Sequence, residues 1–186
     1  NLPTLQVQLL DIAMLTMAAL VIGAESLWYP FGRDQGIHAT IAFAMSHGQI
    51  PYLDTYNVKP PLTTLFHWLS QAFFGSSVQA IRLFDLLISA VTITLLYRLS
   101  LVLYHNRLGA LCTGLFFGLL YYGENYWQTA QTDGWTSLFV VSSLLTLVSG
   151  SRNDSRKRKA KMLLAGSLLG LAVLLKYTII VIALPM

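Results

Sequence analysis

Long apolar stretches alternate with shorter polar ones along this chain of 186 residues. A helix needs roughly 20 mostly apolar residues to cross a bilayer, and five stretches approach that length. They run over about 9–27, 83–104, 108–122, 135–148 and 162–184. The third and fourth are short, so we expect their ends to extend into the polar residues between them. The pattern predicts an all-α protein, a polytopic bundle of transmembrane helices.

The longest polar interruption, residues 28–82, contains two shorter segments with helical spacing. Apolar residues in DQGIHATIAFAMSHG recur at this spacing and stop at Gly48, with Asp34 at the start of the segment. The second segment, PPLTTLFHWLSQAFFG, begins with prolines suited to a first helical turn and stops at Gly75. It is too short to span a bilayer, and its aromatic residues suit a helix at the membrane interface. We therefore expect two surface helices that cover a polar pocket.

The composition agrees with a membrane protein. Hydrophobic residues make up 55% of the chain and charged residues only 11%, whereas about a quarter of the residues in a soluble domain are charged. The single cysteine, Cys112, excludes an internal disulfide and lies in an apolar stretch, which favours a packing role. Because the chain begins at Asn1 rather than Met, we expect it to be part of a longer protein.

The charge pattern predicts an orientation for the bundle. Six of the twelve Lys and Arg residues lie within 152–161, including Arg152, and basic loops remain in the cytoplasm. Counting spans from this loop places Asn1 in the cytoplasm and residues 28–82 outside, in a multi-pass protein of the bacterial plasma membrane. Binding of nucleic acid by the basic run is the alternative, which we disfavour because the run lies between two spans.

Several polar residues are candidates for chemistry. Asp34 suits a helix cap, and it also suits a general base that takes a proton from an acceptor hydroxyl. In PYLDTYNVKPP, Tyr52, Asp54 and Lys59 supply donors, acceptors and a positive charge that suit sugar hydroxyls and a phosphate. A solvated loop without a ligand would have a similar composition, so this alternative stays open.

Three further charged residues come from the predicted spans or their ends. Lys176 lies fifteen residues past Lys161, a rise of roughly 22 Å in a helix, so it falls in the outer half of the hydrocarbon. A lysine there is either functional or reaches to the interface. Arg82 and Asp85 have the spacing of a helical ion pair. Asp133 suits either a helix cap or a polar site at the outer face.

Other residues point to no specific chemistry. The four histidines have no metal-ligand spacing, so the sequence predicts no histidine-based metal site. Two glycine pairs, Gly114 with Gly118 and Gly166 with Gly170, permit close helix packing, but such pairs are common in membrane spans.

Short motifs occur in a recognisable order along the chain. They are DQG at 34–36, GQIPYLD at 48–54, KPPL at 59–62, FG at 74–75, RL at 82–83 and GSLLGLAVLLKYT at 166–178. In this order they resemble the N-terminal part of a C-type (GT-C) membrane glycosyltransferase. The similarity is to the branch of protein O-mannosyltransferases and aminoarabinose transferases, which resembles glycosyltransferase family 39. Residues 1–186 would then form the N-terminal part of such a transmembrane domain.

The resemblance implies transfer of a sugar from a polyprenyl-phosphate donor to an acceptor on the extracytoplasmic face. It places Asp34 at the position of the catalytic base and makes Lys59 and Lys176 candidates for the donor phosphate. The other substrate-binding candidates are Tyr52, Asp54, Arg82 and Asp133. Membrane lipids and the polyprenyl-phosphate sugar are the implied partners, with an acceptor that is protein, lipid or glycan.

Gln35 departs from the family pattern, because many relatives have a second acid at this position. A divalent metal held by an acidic pair is therefore not supported, and no other cofactor is expected. Two alternatives from other functional classes remain. One is a transporter or channel with Lys176 and Asp133 along its path, and the other is a non-catalytic scaffold subunit.

Overall fold

In the computed structural model, residues 3–127, 129–149 and 155–183 are described, and helices dominate them. These ranges contain no β-strand beyond an isolated bridge between Pro51 and Thr55. The predicted all-α class is therefore confirmed for the described part of the chain. The α-helices are α1 Leu5–Gly23, α2 Arg33–Ser46, α3 Pro61–Phe74, α4 Val78–Tyr104, α5 Arg107–Gly123, α6 Thr132–Val148, α7 Ser155–Leu175 and α8 Ile180–Ala183. Short 3-10 segments lie at Ala24–Trp28, Asn125–Trp127 and Tyr177–Ile179.

Two helical segments of the described chain are long and apolar enough to cross a membrane. They are Leu5–Trp28, with 24 residues, and Val78–Tyr104, with 27 residues. Helix α6 is also apolar but has only 17 residues. The predicted stretches at 9–27, 83–104, 108–122 and 135–148 coincide with α1, α4, α5 and α6, so helices form where the apolar pattern places them.

The two predicted surface helices, α2 and α3, end as their sequences indicate. Gly48, two residues past the end of α2, has a φ of 86°, and Gly75 directly after α3 has a φ of 88°. These left-handed conformations favour glycine because it lacks a Cβ atom. Pro61 occupies the first turn of α3, where a missing N–H costs no helical hydrogen bond.

Helix α4 lies at the centre of the bundle and contacts α1, α3, α5 and α6. Its C-terminal half packs with α1 and α5 in an apolar cluster that includes Leu15, Ile93 and Ala110. A Cβ atom added to Gly114 or Gly118 would lie 3.3 or 3.1 Å from the Ile93 side chain. This glycine pair therefore allows α5 to approach α4 closely.

A second apolar cluster lies under α2 and α3. Its buried members are Ala39, Phe66, Ile81, Ala130, Trp135 and Leu175. One aromatic residue of α3, Phe66, faces the bundle, because its ring packs 5.4 Å from the ring of Trp135 and 5.7 Å from that of Phe84. Phe73, in contrast, remains 74% exposed. The inner face of α3 therefore belongs to the core of the bundle.

A buried carboxylate joins three helices at the opposite end of the bundle. Asp11 of α1 accepts hydrogen bonds from Arg107 Nε at 2.8 Å, from Arg107 Nη2 at 2.7 Å and from the Tyr97 hydroxyl at 2.7 Å. The sequence reasoning overlooked Asp11, although a charge in an apolar stretch requires a partner. The contact places the start of α1 beside the connection between α4 and α5. The charge pattern likewise predicts that these two parts of the chain lie on the same side of the membrane.

The fifth predicted span is not one continuous helix. Helix α7 ends at Leu175, and Lys176 has an extended backbone with φ −149° and ψ 112° before the next helical turn begins. The prediction of Lys176 inside a helix is therefore wrong. Ending the helix there turns the ammonium group towards the carboxylate of Asp133, which supplies the partner that a cation beside hydrocarbon needs. Three predicted positions, Asn1, Arg152 and Leu184, lie outside the described residues.

Candidate functional site

Two ion pairs between lysine and aspartate lie at the end of the bundle that contains α2 and α3. Lys59 Nζ lies 3.6 Å from Asp34 Oδ2, and Lys176 Nζ contacts Asp133 Oδ1. The exposed fractions of these four side chains range from 33% to 46%. Four of the predicted site residues therefore form two pairs that a ligand can reach from the surface.

A hydrogen bond from the start of α3 connects the segment that follows Lys59 with the residue that precedes Lys176. The Thr63 hydroxyl, four residues past Lys59, donates a hydrogen bond of 3.2 Å to the carbonyl oxygen of Leu175, which directly precedes Lys176. The two lysines therefore flank a single contact between the start of α3 and the end of α7. Local sequence signals could not predict this contact, since the two partners are 112 positions apart.

Hydrogen bonds fix the backbone of Lys59 on both sides. Its N–H donates to Asn57 Oδ1 at 2.9 Å, and its carbonyl oxygen accepts from the Tyr52 hydroxyl at 2.6 Å. Asn57 is buried and donates to the Thr64 hydroxyl at 3.2 Å. Because Pro60 also restricts the backbone before it to extended forms, the position of Lys59 does not depend on its ion pair.

Tyr52 and Asp54 lie in a compact turn before Lys59. The backbone φ of Tyr52 is 69°, in the left-handed region, and its N–H donates to the Thr55 carbonyl at 2.9 Å. Burial raises the pKa of the Tyr52 phenol, and the neighbouring Tyr177 raises it further. Asp54 Oδ2 accepts a hydrogen bond of 2.7 Å from the N–H of Ile50. In the described structure, both side chains stabilise the turn that presents Lys59.

Asp34 lies in the first turn of α2 but does not cap the helix. The cap position belongs to Gly32, and no side chain accepts a hydrogen bond from the first turn. The cap interpretation of Asp34 is therefore wrong. The carboxylate still benefits from the positive end of the helix dipole, and its partner in the structure is Lys59.

Arg82, a predicted substrate-binding residue, is buried, and its guanidinium bonds to oxygens of the protein itself. Nη1 donates to the carbonyl and the hydroxyl oxygen of Thr129 at 3.0 and 2.7 Å, and Nη2 donates to the carbonyl oxygen of Pro30 at 2.6 Å. A buried guanidinium must find acceptors, and these oxygens supply them. Arg82 therefore holds the connections that contain Pro30 and Thr129 against α4.

The helical ion pair predicted between Arg82 and Asp85 does not form among the described residues. Asp85 Oδ1 instead accepts from the Tyr121 hydroxyl at 2.6 Å and from Trp135 Nε1 at 2.8 Å. Arg82 and Asp85 are both buried; Arg82 finds its acceptors on two connections, and Asp85 finds its donors on α5 and α6. Tertiary partners thus replace the local pair.

Gln35, the departure from the family pattern, has a structural role. Its Nε2 donates to the carbonyl oxygens of Tyr126 and Thr129 at 2.8 and 3.0 Å. A carboxylate at this position could not donate these bonds. Together with Arg82, Gln35 fixes the connection that leads into α6 and to Asp133.

Two buried histidines beneath Asp34 were not among the predicted site residues. His38 follows Asp34 by one helical turn, and its ring centroid lies 5.5 Å from that of His67. Burial, and to a smaller extent the charge of Lys59, lower the pKa of His38 to about 4. Burial lowers the pKa of His67 to about 3. The spacing of four residues in a helix could have indicated that His38 lies close to Asp34.

Of two open cavities, one is lined by residues close in sequence to both lysines, and the other includes Asp133 itself. One, of about 370 Å³, is almost entirely apolar, and its lining includes Tyr52, Pro61, Leu65 and Leu174. The other, of about 390 Å³, lies between α5 and α6 and includes Asp133 in its lining. Within the described residues, no group of three His, Cys, Asp or Glu side chains is placed to hold a metal ion.

Comparisons with known proteins agree with the resemblance found in the sequence. One curated relative, the undecaprenyl phosphate-alpha-4-amino-4-deoxy-L-arabinose arabinosyl transferase of Photorhabdus laumondii subsp. laumondii, is 27% identical over 145 residues. The match covers 75% of this chain but only 26% of the relative, so the chain spans about a quarter of that protein's length. No solved structure matches the chain. The sequence profile described as dolichyl-phosphate-mannose-protein mannosyltransferase matches residues 58–186, and the chain therefore belongs to this family.

Proposed function

We propose that this chain forms part of a membrane glycosyltransferase that moves a sugar from a polyprenyl-phosphate carrier to an acceptor hydroxyl. The observation on which this rests most is the position of Lys59 and Lys176, which flank one contact between α3 and α7. The family membership supports transfer of a sugar, and the name of the curated relative includes an undecaprenyl-phosphate-linked sugar.

The donor would use both the charge and the apolar surface of this region. Lysine ammonium groups bind phosphate as point charges. The lining of the apolar cavity includes Pro61, two residues after Lys59, and Leu174, two residues before Lys176, and the cavity suits part of a prenyl chain. A nucleotide sugar has no apolar chain to place in such a cavity.

The reaction assigns a role to each charged residue. The acceptor oxygen attacks the anomeric carbon, and the bond between this carbon and the phosphate oxygen breaks, with its electron pair leaving on the phosphate. Asp34 takes the proton of the acceptor hydroxyl as general base. Lys59 and Lys176 stabilise the negative charge that grows on the departing polyprenyl phosphate. The products are the glycosylated acceptor and the polyprenyl phosphate.

The proposed topology has five spans, with Asn1 in the cytoplasm and residues 28–82 outside. The separation of the two ends supports it, since Asp11 and Arg107 pair at one end and Asp34 and Lys59 at the other. With Cys112 replaced by serine, cysteines introduced at Ser46 and Thr55 should react with an impermeant thiol reagent from outside. Reaction of a cysteine at Ser151 from outside would invert the topology.

A donor assay tests the function. Carrier-depleted proteoliposomes that contain the purified protein and a membrane extract as acceptor source would receive one radiolabelled donor at a time. The lipid-linked donors would include polyprenyl-phosphate mannose and polyprenyl-phosphate 4-amino-4-deoxy-arabinose, and the comparison donors would be nucleotide sugars. We expect transfer only from a lipid-linked donor. Efficient transfer from a nucleotide sugar alone would contradict the proposal, and solute flux without transfer would favour a transporter.

A further inference from the structure

We propose that the donor phosphate displaces Asp34 from Lys59 and Asp133 from Lys176, so that donor binding releases the two carboxylates. This inference rests on the proposed function and adds to it an order of events, in which the donor binds before the acceptor loses its proton. In the structure, each lysine that we assign to the phosphate already has an aspartate as its partner. A phosphate group and the two carboxylates would therefore compete for the same ammonium groups.

The exposure of the ion pairs makes the exchange accessible. The side chain of Lys59 is 33% exposed and that of Lys176 is 37% exposed, so an anion can reach both. Ion pairs at this level of exposure contribute little to stability. A phosphate, with several acceptor oxygens, forms strong charge-assisted hydrogen bonds to ammonium groups. Exchange of one partner for the other therefore has a small cost.

The lysine backbones need not move during the exchange. Lys59 is fixed by hydrogen bonds from its own N–H and to its own carbonyl oxygen. The residue before Lys176 accepts the hydrogen bond from Thr63. Only the side-chain contacts with the carboxylates would change.

The carboxylates are also held independently of the lysines. Asp34 and Asp133 lie in the first turns of α2 and α6. Gln35, next to Asp34, is buried and bonded to the connection that leads into α6. Loss of the ion pairs would leave both acids in place at the outer end of the bundle.

The exchange would link proton transfer to donor binding. In the structure, Oδ2 of Asp34 faces the Lys59 ammonium group. This oxygen would become available to the acceptor hydroxyl only after the phosphate has taken Lys59. The reaction would then follow an order, with the donor bound before the acceptor loses its proton.

Removal of a competing carboxylate should strengthen donor binding. The probe is polyprenyl phosphate without a sugar, which binds but cannot react, added to the purified protein in detergent. Asp34→Asn and Asp133→Asn keep the size of each side chain and remove its charge. Glu25→Gln is the matched control, because Glu25 is exposed near the same end and forms no ion pair among the described residues.

We expect each aspartate variant to bind polyprenyl phosphate about two- to fivefold more tightly than the wild type, the range that loss of an exposed ion pair allows. The Kd of the control should stay at the wild-type value. A Kd that is unchanged or raised in both aspartate variants, with wild-type melting curves, would overturn the exchange while the proposed function stands. Asp34→Ser and Asp133→Ser provide a second pair of variants if the asparagine variants fold poorly. If the wild type itself neither binds polyprenyl phosphate nor transfers a lipid-linked sugar, the proposed function fails as well.

Discussion

The Lys59 ammonium nitrogen lies 3.6 Å from Asp34 Oδ2, so the segment after α2 folds back onto the first turn of that helix. The pair places a cation suited to phosphate next to a carboxylate suited to a hydroxyl proton. A second pair, Lys176 with Asp133, forms at the end of α7. The hydrogen bond between Thr63 and Leu175 connects the segments that contain the two ion pairs. One end of the bundle thus holds the charges that the proposed reaction needs.

Replacing either lysine with methionine should lower turnover by on the order of a hundredfold, the scale of lost charge stabilisation at a reacting centre. Lys59→Met and Lys176→Met keep the length of the side chain and remove the charge. Lys59→Arg should restore part of the activity, because the charge remains while its geometry differs. The measurement is the rate of transfer from a lipid-linked donor at saturation. Full activity of Lys176→Met would show that Lys176 has no role in catalysis and serves only as the partner of Asp133.

Tyr52→Phe should lower turnover by about two- to tenfold, the equivalent of one hydrogen bond. The substitution removes the donor to the Lys59 carbonyl and keeps the ring in the lining of the apolar cavity. Donor affinity and turnover would be measured together, with Tyr104→Phe, which is 74% exposed and distant in sequence, as the control. An unchanged rate would show that Pro60 and Asn57 suffice to position Lys59.

Arg82→Met should reduce the free energy of unfolding by on the order of 3 kcal/mol, because buried carbonyl oxygens lose their donors. Arg82→Lys should recover only part of this loss, since one ammonium group cannot reach both Pro30 and Thr129 as the guanidinium does. Thermal unfolding in detergent measures the effect, with the exposed Arg33→Met as the control. Equal melting temperatures for the Arg82 and Arg33 variants would contradict the structural role.

The stability of the protein should fall as the pH falls below about 6.5, the ordinary pKa of histidine. Burial keeps His38 and His67 neutral in the folded state down to pKa values of about 4 and about 3. The unfolded state therefore binds more protons in this window, and each histidine lowers stability by up to about 1.4 kcal/mol per pH unit. His38→Gln and His67→Gln should each flatten the profile of unfolding free energy against pH. A variant profile with the wild-type slope would show that the histidine is not buried as described.

The positions of most helices could be predicted because the apolar pattern and the helix-ending glycines are local signals. Gly48 and Gly75 ended two helices as expected, and four apolar stretches became α1, α4, α5 and α6. The break at Lys176 could not be predicted in this way. Lys176 pairs there with Asp133, a partner 43 residues away, and no local signal such as glycine or proline marks the break.

The residue types of the site were predictable, but their partners were not. The sequence indicated Asp34, Lys59, Asp133 and Lys176 as separate candidates, and only the folded chain pairs them. The resemblance made Arg82 a candidate for substrate binding, and its spacing from Asp85 predicted a helical ion pair. Burial instead directs its guanidinium to main-chain carbonyl oxygens on two distant connections.

The rate at which Asp34→Asn transfers sugar from a polyprenyl-phosphate donor tests the account most directly. The substitution keeps the shape of the side chain and removes its ability to take the acceptor proton. The rate would be measured in proteoliposomes, as label that leaves the lipid carrier for the acceptor, at saturating donor. We predict a loss of on the order of a hundred- to ten-thousandfold in a variant that retains the wild-type melting curve. Turnover within about threefold of the wild type, well below the loss expected for a general base, would contradict the assignment of Asp34 and with it the proposed reaction.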